Sequence, residues 1–136
     1  MLRKIFQNSL RVKYNKTSIR LSTSDSDRNA LNQYHALADE TLEELNEKLE
    51  MLLEDRYESG ADVSLSSGVL TVVVDSKNTY VINKQTPNRQ IWMSSPLTGP
   101  IRFDLKDGKW IDRHSNKELS SHLKEELGQL LKKTDD

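Results

Sequence analysis

Cysteine is absent from the 136 residues. Its absence excludes a disulfide scaffold, thiolate metal ligation and any cysteine nucleophile. No apolar run approaches ~18 residues, so no segment is suited to cross a bilayer as a helix. Histidine is sparse: His35, His114 and His122 form neither an HxxxH nor an HExxH pattern, and no strong metal signature remains. A glycine-rich phosphate loop and a paired nucleophile and base are also missing, which leaves no ready catalytic site. What is present suits one compact domain with a modest core plus a tail.

Acidic residues are missing from one end. Arg3, Lys4, Arg11, Lys13, Lys16 and Arg20 precede the first acid, Asp25, so residues 1–24 carry +6. The remaining 112 residues hold 14 basic and 21 acidic side chains, a balance of −7 concealed by the overall charge of −1. A basic, serine-containing, acid-free leader with interspersed Leu2, Ile5, Phe6, Leu10 and Val12 has the composition of a mitochondrial transit peptide. The alternative is a basic arm for nucleic acid or membrane, which the acidic remainder opposes. Residues 25–30 are expected to be a polar linker.

From Leu31 to Glu58 there is neither glycine nor proline. At helical spacing, Leu31, Tyr34, Ala38, Leu42, Leu45, Leu49, Leu52 and Leu53 fall in one arc of roughly 100°. Asp39, Glu40, Glu43, Glu44, Glu47, Glu50 and Glu54 fall in another, roughly 140° wide. Leu37 and Met51 fit neither arc and are expected at the surface. Carboxylates three and four residues apart repel. Lys48 and Arg56 alone offset them in this helix. A bound cationic partner, a basic protein surface or multivalent ions therefore explains the ridge better than solubility alone. Exposed carboxylates would hold hard cations weakly, at several sites, with water retained. His35 precedes Asp39 by four and is either a ligand beside it or a cover for the core.

From Ala61 the texture becomes β-branched and turn-rich. Strands are expected at 61–66, 69–75, 79–85, 89–94, 101–105 and 109–112, with Asp107-Gly108 as a hairpin turn. Ser115-Asn116-Lys117-Glu118 has the capping-box form, opening a second helix striped by Leu119, Leu123, Leu127, Leu130 and Leu131. Two striped helices need one sheet face to cover them, so the fold class is α+β. Specifically, it is a two-layer sandwich with an antiparallel sheet of five or six strands in α-β-α order. Alternation then sends Tyr80, Ile82, Ile91, Met93, Phe103 and Leu105 toward the helices. It sends Trp92 outward among Asn83, Gln85, Gln90 and Arg102, a composition suited to a protein-binding hot spot. The competing arrangement buries Trp92 by a register slip, but Trp110 is the better core tryptophan.

At these residues the sequence resembles frataxins, and animal frataxins most in pattern. The resemblance rests on Tyr34-His35-x-x-Ala38-Asp39-Glu40-Thr41-Leu42, on Thr79 through Trp92 (TYVINKQTPNRQIW), on Ser94-Ser95-Pro96-x-x-Gly99-Pro100 and on Arg102-Phe103-Asp104. It implies a domain over residues 31–133 with a short tail at 134–136. It also implies a mitochondrial matrix location and a role in iron–sulfur cluster assembly, through docking on the cysteine desulfurase–scaffold complex. Weakly bound Fe2+/Fe3+ iron is implied, with His35, Asp39, Glu40, Glu43, Glu44, Glu47 and Glu50 as ligands. Asn83, Gln85, Gln90, Trp92 and Arg102 are implied as partner-binding residues. The family also implies iron delivery for haem, with ferrochelatase as recipient, a ferroxidase activity, and a monomer able to form iron-driven oligomers. Lys48 within the ridge reduces the number of iron sites expected. Some family members carry a tail over the helices, and modest stability is expected without one. A dedicated catalytic centre is disfavoured, because Glu40–Glu43 lacks the E-x-x-H histidine of di-iron sites. The acidic domain disfavours nucleic acid.

Overall fold

A computed structural model describes residues 23–134. Helix α1 (Thr23–Leu53) runs into a 3-10 turn (Glu54–Ser59) that Gly60 ends in the left-handed region. Six strands follow: β1 (Asp62–Ser66), β2 (Val69–Asp75), β3 (Asn78–Gln85), β4 (Gln90–Ser95), β5 (Gly99–Lys106) and β6 (Lys109–Asp112). Helix α2 (Leu119–Thr134) completes the order. Every strand pairs antiparallel with its neighbours in sequence, giving the order β1-β2-β3-β4-β5-β6. Short turns make that meander natural, and two of them need left-handed backbone at successive residues, Ser67-Gly68 and Asp107-Gly108. The α+β sandwich expected from the pattern is the observed architecture.

Period decides the core. Leu70, Val72, Tyr80, Ile82, Ile91, Met93 and Phe103 line the inner sheet face against the leucine stripes of both helices. Trp110 is buried, stacks edge-on against Tyr34 and donates its indole N–H to Thr41 Oγ1 at 2.9 Å. Among the described residues no helix is long and apolar enough to cross a membrane.

Three local expectations are corrected. Residues 25–30 are helical rather than linker: α1 begins at Thr23, and the exposed polar side chains of 25–30 suit its solvated first turns. Leu37 is buried, not superficial. Thr41, one turn further on, is also buried and meets Trp110, so the covered side of α1 is wider than the leucine arc alone. Met51 does sit at the surface. Ser115 does not cap α2, which starts at Leu119. Instead Asp112 organises the turn: its carboxylate accepts from Ser115 Oγ at 2.7 Å and from the His114 backbone N–H at 3.1 Å. Burial alone would raise the Asp112 pKa, but those hydrogen bonds outweigh it and hold the carboxyl below its ordinary range. The leader expected at residues 1–24 lies almost wholly outside the described residues.

Candidate functional site

Helix α1 displays Asp39, Glu43, Glu47 and Glu50 to solvent, with Glu40 and Glu44 half-exposed beside them. Crowding has an electrostatic consequence at Glu44: partial burial first, then the Glu40 charge, raise its pKa. Among the described residues no three of His, Asp and Glu converge to hold one metal ion. Asp39 and His35, at one end of the ridge, meet partners in the fold, while Glu50 Oε1 accepts from Asn46 Nδ2 at 3.4 Å on the helix itself. Asp39 accepts from Lys84 Nζ at 2.8 Å. Lys84 lies on β3, half-buried, its stem passing over Gly68 in the β1–β2 turn. His35 is half-buried with its ring 5.3 Å from that of Tyr34. The Asp39 end of the ridge is thus engaged with the rest of the fold.

The other face of the sheet gathers the second set. Strand register places Asn83, Trp92 and Arg102 in one row across β3, β4 and β5, and Gln85, Gln90 and Asp104 in the next. All five expected partner-binding residues thus share one patch. Trp92 points outward as alternation requires, yet is half-buried because its neighbours pack around it. The Arg102 guanidinium carbon stands 4.7 Å from the Trp92 ring centroid, a cation–π arrangement. The Trp92 Nε1–H donates to Gln90 Oε1 at 2.7 Å, and Gln90 Nε2 donates to Asp104 Oδ1 at 2.8 Å. Arg113, just beyond β6, closes on Asp104 Oδ2 at 3.1 Å. Sequence alternation puts Asp104 on this face. That its carboxylate meets Gln90, and that Arg113 reaches it, depends on register across three strands.

A buried polar cluster between sheet and α2 has no sequence signal at all. Glu126 is 4% exposed and accepts from Tyr80 Oη at 3.0 Å, from Ser95 Oγ and from Thr98 Oγ1 at 3.0 Å. His122, one turn earlier, contacts the same carboxylate through Nε2, while its Nδ1 is buried without a hydrogen-bond partner. Ser95 Oγ also accepts from the Leu97 and Thr98 N–H groups, so the β4–β5 loop is tied to α2 through one carboxylate.

Burial first, then the Glu126 charge, hold the Tyr80 hydroxyl far above its usual value of 10.0. A raised pKa contributes stability that is complete below the unfolded value and is lost as pH climbs beyond it. Tyr80 is therefore expected to remove about 1.4 kcal/mol of stability per pH unit above about pH 10. Denaturation followed by tyrosinate absorbance checks this: Tyr80 should ionise only with unfolding, and Tyr80→Phe should lack that component.

Comparison with known proteins identifies the pattern. A family model described as a frataxin-like domain matches residues 28–133. The mitochondrial frataxin homolog of Saccharomyces cerevisiae is 44% identical over 104 residues, 76% of this chain and 60% of that protein. The mitochondrial frataxin of Dictyostelium discoideum is 45% identical over 104 residues, 75% of this chain and 54% of its own length. For that of Caenorhabditis elegans the identity is 47% over 103 residues, 74% of this chain and 76% of the relative. The chain thus spans about three-fifths or less of the first two. Among solved structures, yeast frataxin superposes with a TM-score of 0.69 at 39% identity, covering 89% of this chain and 98% of that one. Trimeric yeast frataxin complexed with ferrous iron gives 0.62 at 36% identity, covering 90% and 95%. The names of these relatives place them in mitochondria, and this protein is mitochondrial too, its basic leader fitting a presequence. With the domain match spanning most of the sequence and the sandwich superposing on solved relatives, the chain belongs to the frataxin family.

Proposed function

We propose that this protein activates iron–sulfur cluster assembly in the mitochondrial matrix by docking its outer sheet face on the cysteine desulfurase–scaffold complex. One observation carries the reading. A tryptophan held outward on a rigid sheet, covered by an arginine and ringed by amides, is the composition of an interface anchor rather than of a solvated surface. The acidic ridge is the second element. It presents ferrous iron as cargo, weakly and at several points along Glu40, Glu43, Glu44, Glu47 and Glu50, or meets a basic patch of the partner. The ferrous complex of the trimeric yeast relative supports the cargo role, and oligomer formation by this chain in the presence of iron. Delivery to ferrochelatase would use the same cargo. A ferroxidase centre has less support, since among the described residues no three of His, Asp and Glu come together around one metal position.

The test is desulfurase turnover in the reconstituted complex, with and without Fe(II), using wild type, Trp92→Ala and a Glu43→Lys/Glu47→Lys double variant. Wild type is expected to accelerate turnover without iron and Trp92→Ala to fail. The double variant should lose Fe(II) binding while still docking. Activation that requires iron and vanishes in a double variant that still docks would make iron delivery the central role. No acceleration by wild type would end the reading.

A further inference from the structure

Trp92 serves better as an anchor when its indole is already oriented as the partner arrives, because no entropy is then lost in fixing it. An indole N–H can only donate and a carboxylate can only accept, whereas a glutamine amide does either according to which way it is turned. Gln90 lies between an indole and a carboxylate. Turned one way, its NH2 meets Asp104 and its oxygen meets Trp92, and both contacts are hydrogen bonds, at 2.8 Å and 2.7 Å. Turned the other way, donor faces donor and oxygen faces carboxylate. Asp104 therefore sets the sense of the Gln90 amide, and the amide sets the rotamer of Trp92. Arg113 holds the far oxygen of Asp104 through Nε at 3.2 Å and through its terminal nitrogen at 3.1 Å. Arg102 covers the indole face.

We propose that Asp104 and Arg113 are positioning residues for the Trp92 anchor, acting through Gln90 rather than by touching the partner. The inference rests on the docking role proposed above and specifies how that face is kept ready. Pre-ordering one large side chain removes the entropy loss of fixing it on binding, which corresponds to a ~2- to ~10-fold gain in affinity. Arg113 is highly exposed, so its own ion pair adds little to stability.

The experiment measures two things on the folded domain: the order parameter of the Trp92 indole N–H by 15N relaxation, and Kd for the desulfurase–scaffold complex. The Trp110 indole, buried and bonded to Thr41, reports in the same spectrum that the core is intact. Asp104→Ala is expected to lower the Trp92 order parameter, leave that of Trp110 unchanged and weaken binding by ~2- to ~10-fold. Asp104→Asn, which can still accept from Gln90, should restore part of both, and Arg113→Gln should give a smaller change in the same direction. An unchanged Trp92 order parameter in Asp104→Ala overturns the positioning role whatever the titration shows. If that order parameter falls while Asp104→Ala binds as wild type and Trp92→Ala does not, indole ordering does not serve docking and the proposal is overturned. A lowered order parameter with wild-type binding by both Asp104→Ala and Trp92→Ala overturns the docking role instead, with the pinning of the indole intact.

Discussion

Glu126→Ala is expected to cost about 3–5 kcal/mol of unfolding free energy. The substitution removes the common acceptor of Tyr80, Ser95 and Thr98 and the partner of His122. Tyr80 is wholly buried, so its hydroxyl would be left without water and without an acceptor. The β4–β5 loop would lose its tie to α2. For a domain of this size the melting temperature should fall by roughly 15 °C. Glu126→Gln keeps an oxygen for Tyr80 and should cost less, about 1–2 kcal/mol. Chemical denaturation of the three proteins decides the matter. A loss below about 1 kcal/mol for the alanine variant would mean that solvent reaches the cluster and relieves it.

Trp92→Ala is expected to have the opposite character, a large functional effect with the fold retained. The side chain lies outside the hydrophobic core, and its removal leaves the inner face of β4, Ile91 and Met93, untouched. Anchors of this kind lose about 2 kcal/mol or more when truncated, which is roughly 30-fold or more in Kd. Calorimetric titration of the desulfurase–scaffold complex measures it, and the thermal melt should stay close to wild type. Equal affinity for both proteins would remove the outer sheet face from the interface. The two variants thus separate what holds the domain together from what it presents.

What is legible in the sequence follows from the range of each interaction. Helical and strand periods are local, so the two helices, the six strands and the outward placement of Asn83, Gln85, Gln90, Trp92 and Arg102 are readable from neighbours one to four residues apart. The acidic ridge was readable for the same reason. Leu37 lies outside the leucine arc yet is buried, because a helical arc shows which side is most apolar, while the width of the covered side depends on what packs against it. The S-x-x-E pattern misled because Asp112, at the end of β6, captures Ser115 before a helix can use it.

The sequence by itself determined the elements, their order, the split of charge between leader and domain, and which tryptophan faces out. Only the tertiary structure decided the pairings on which the candidate sites depend. Lys84 reaches Asp39 across 45 residues, Tyr80 reaches Glu126 across 46, and Trp110 reaches Thr41 across 69. No periodicity encodes such contacts. They exist because the register of the sheet and the seating of the helices bring a donor and an acceptor within 3 Å. Burial then makes leaving either one alone expensive.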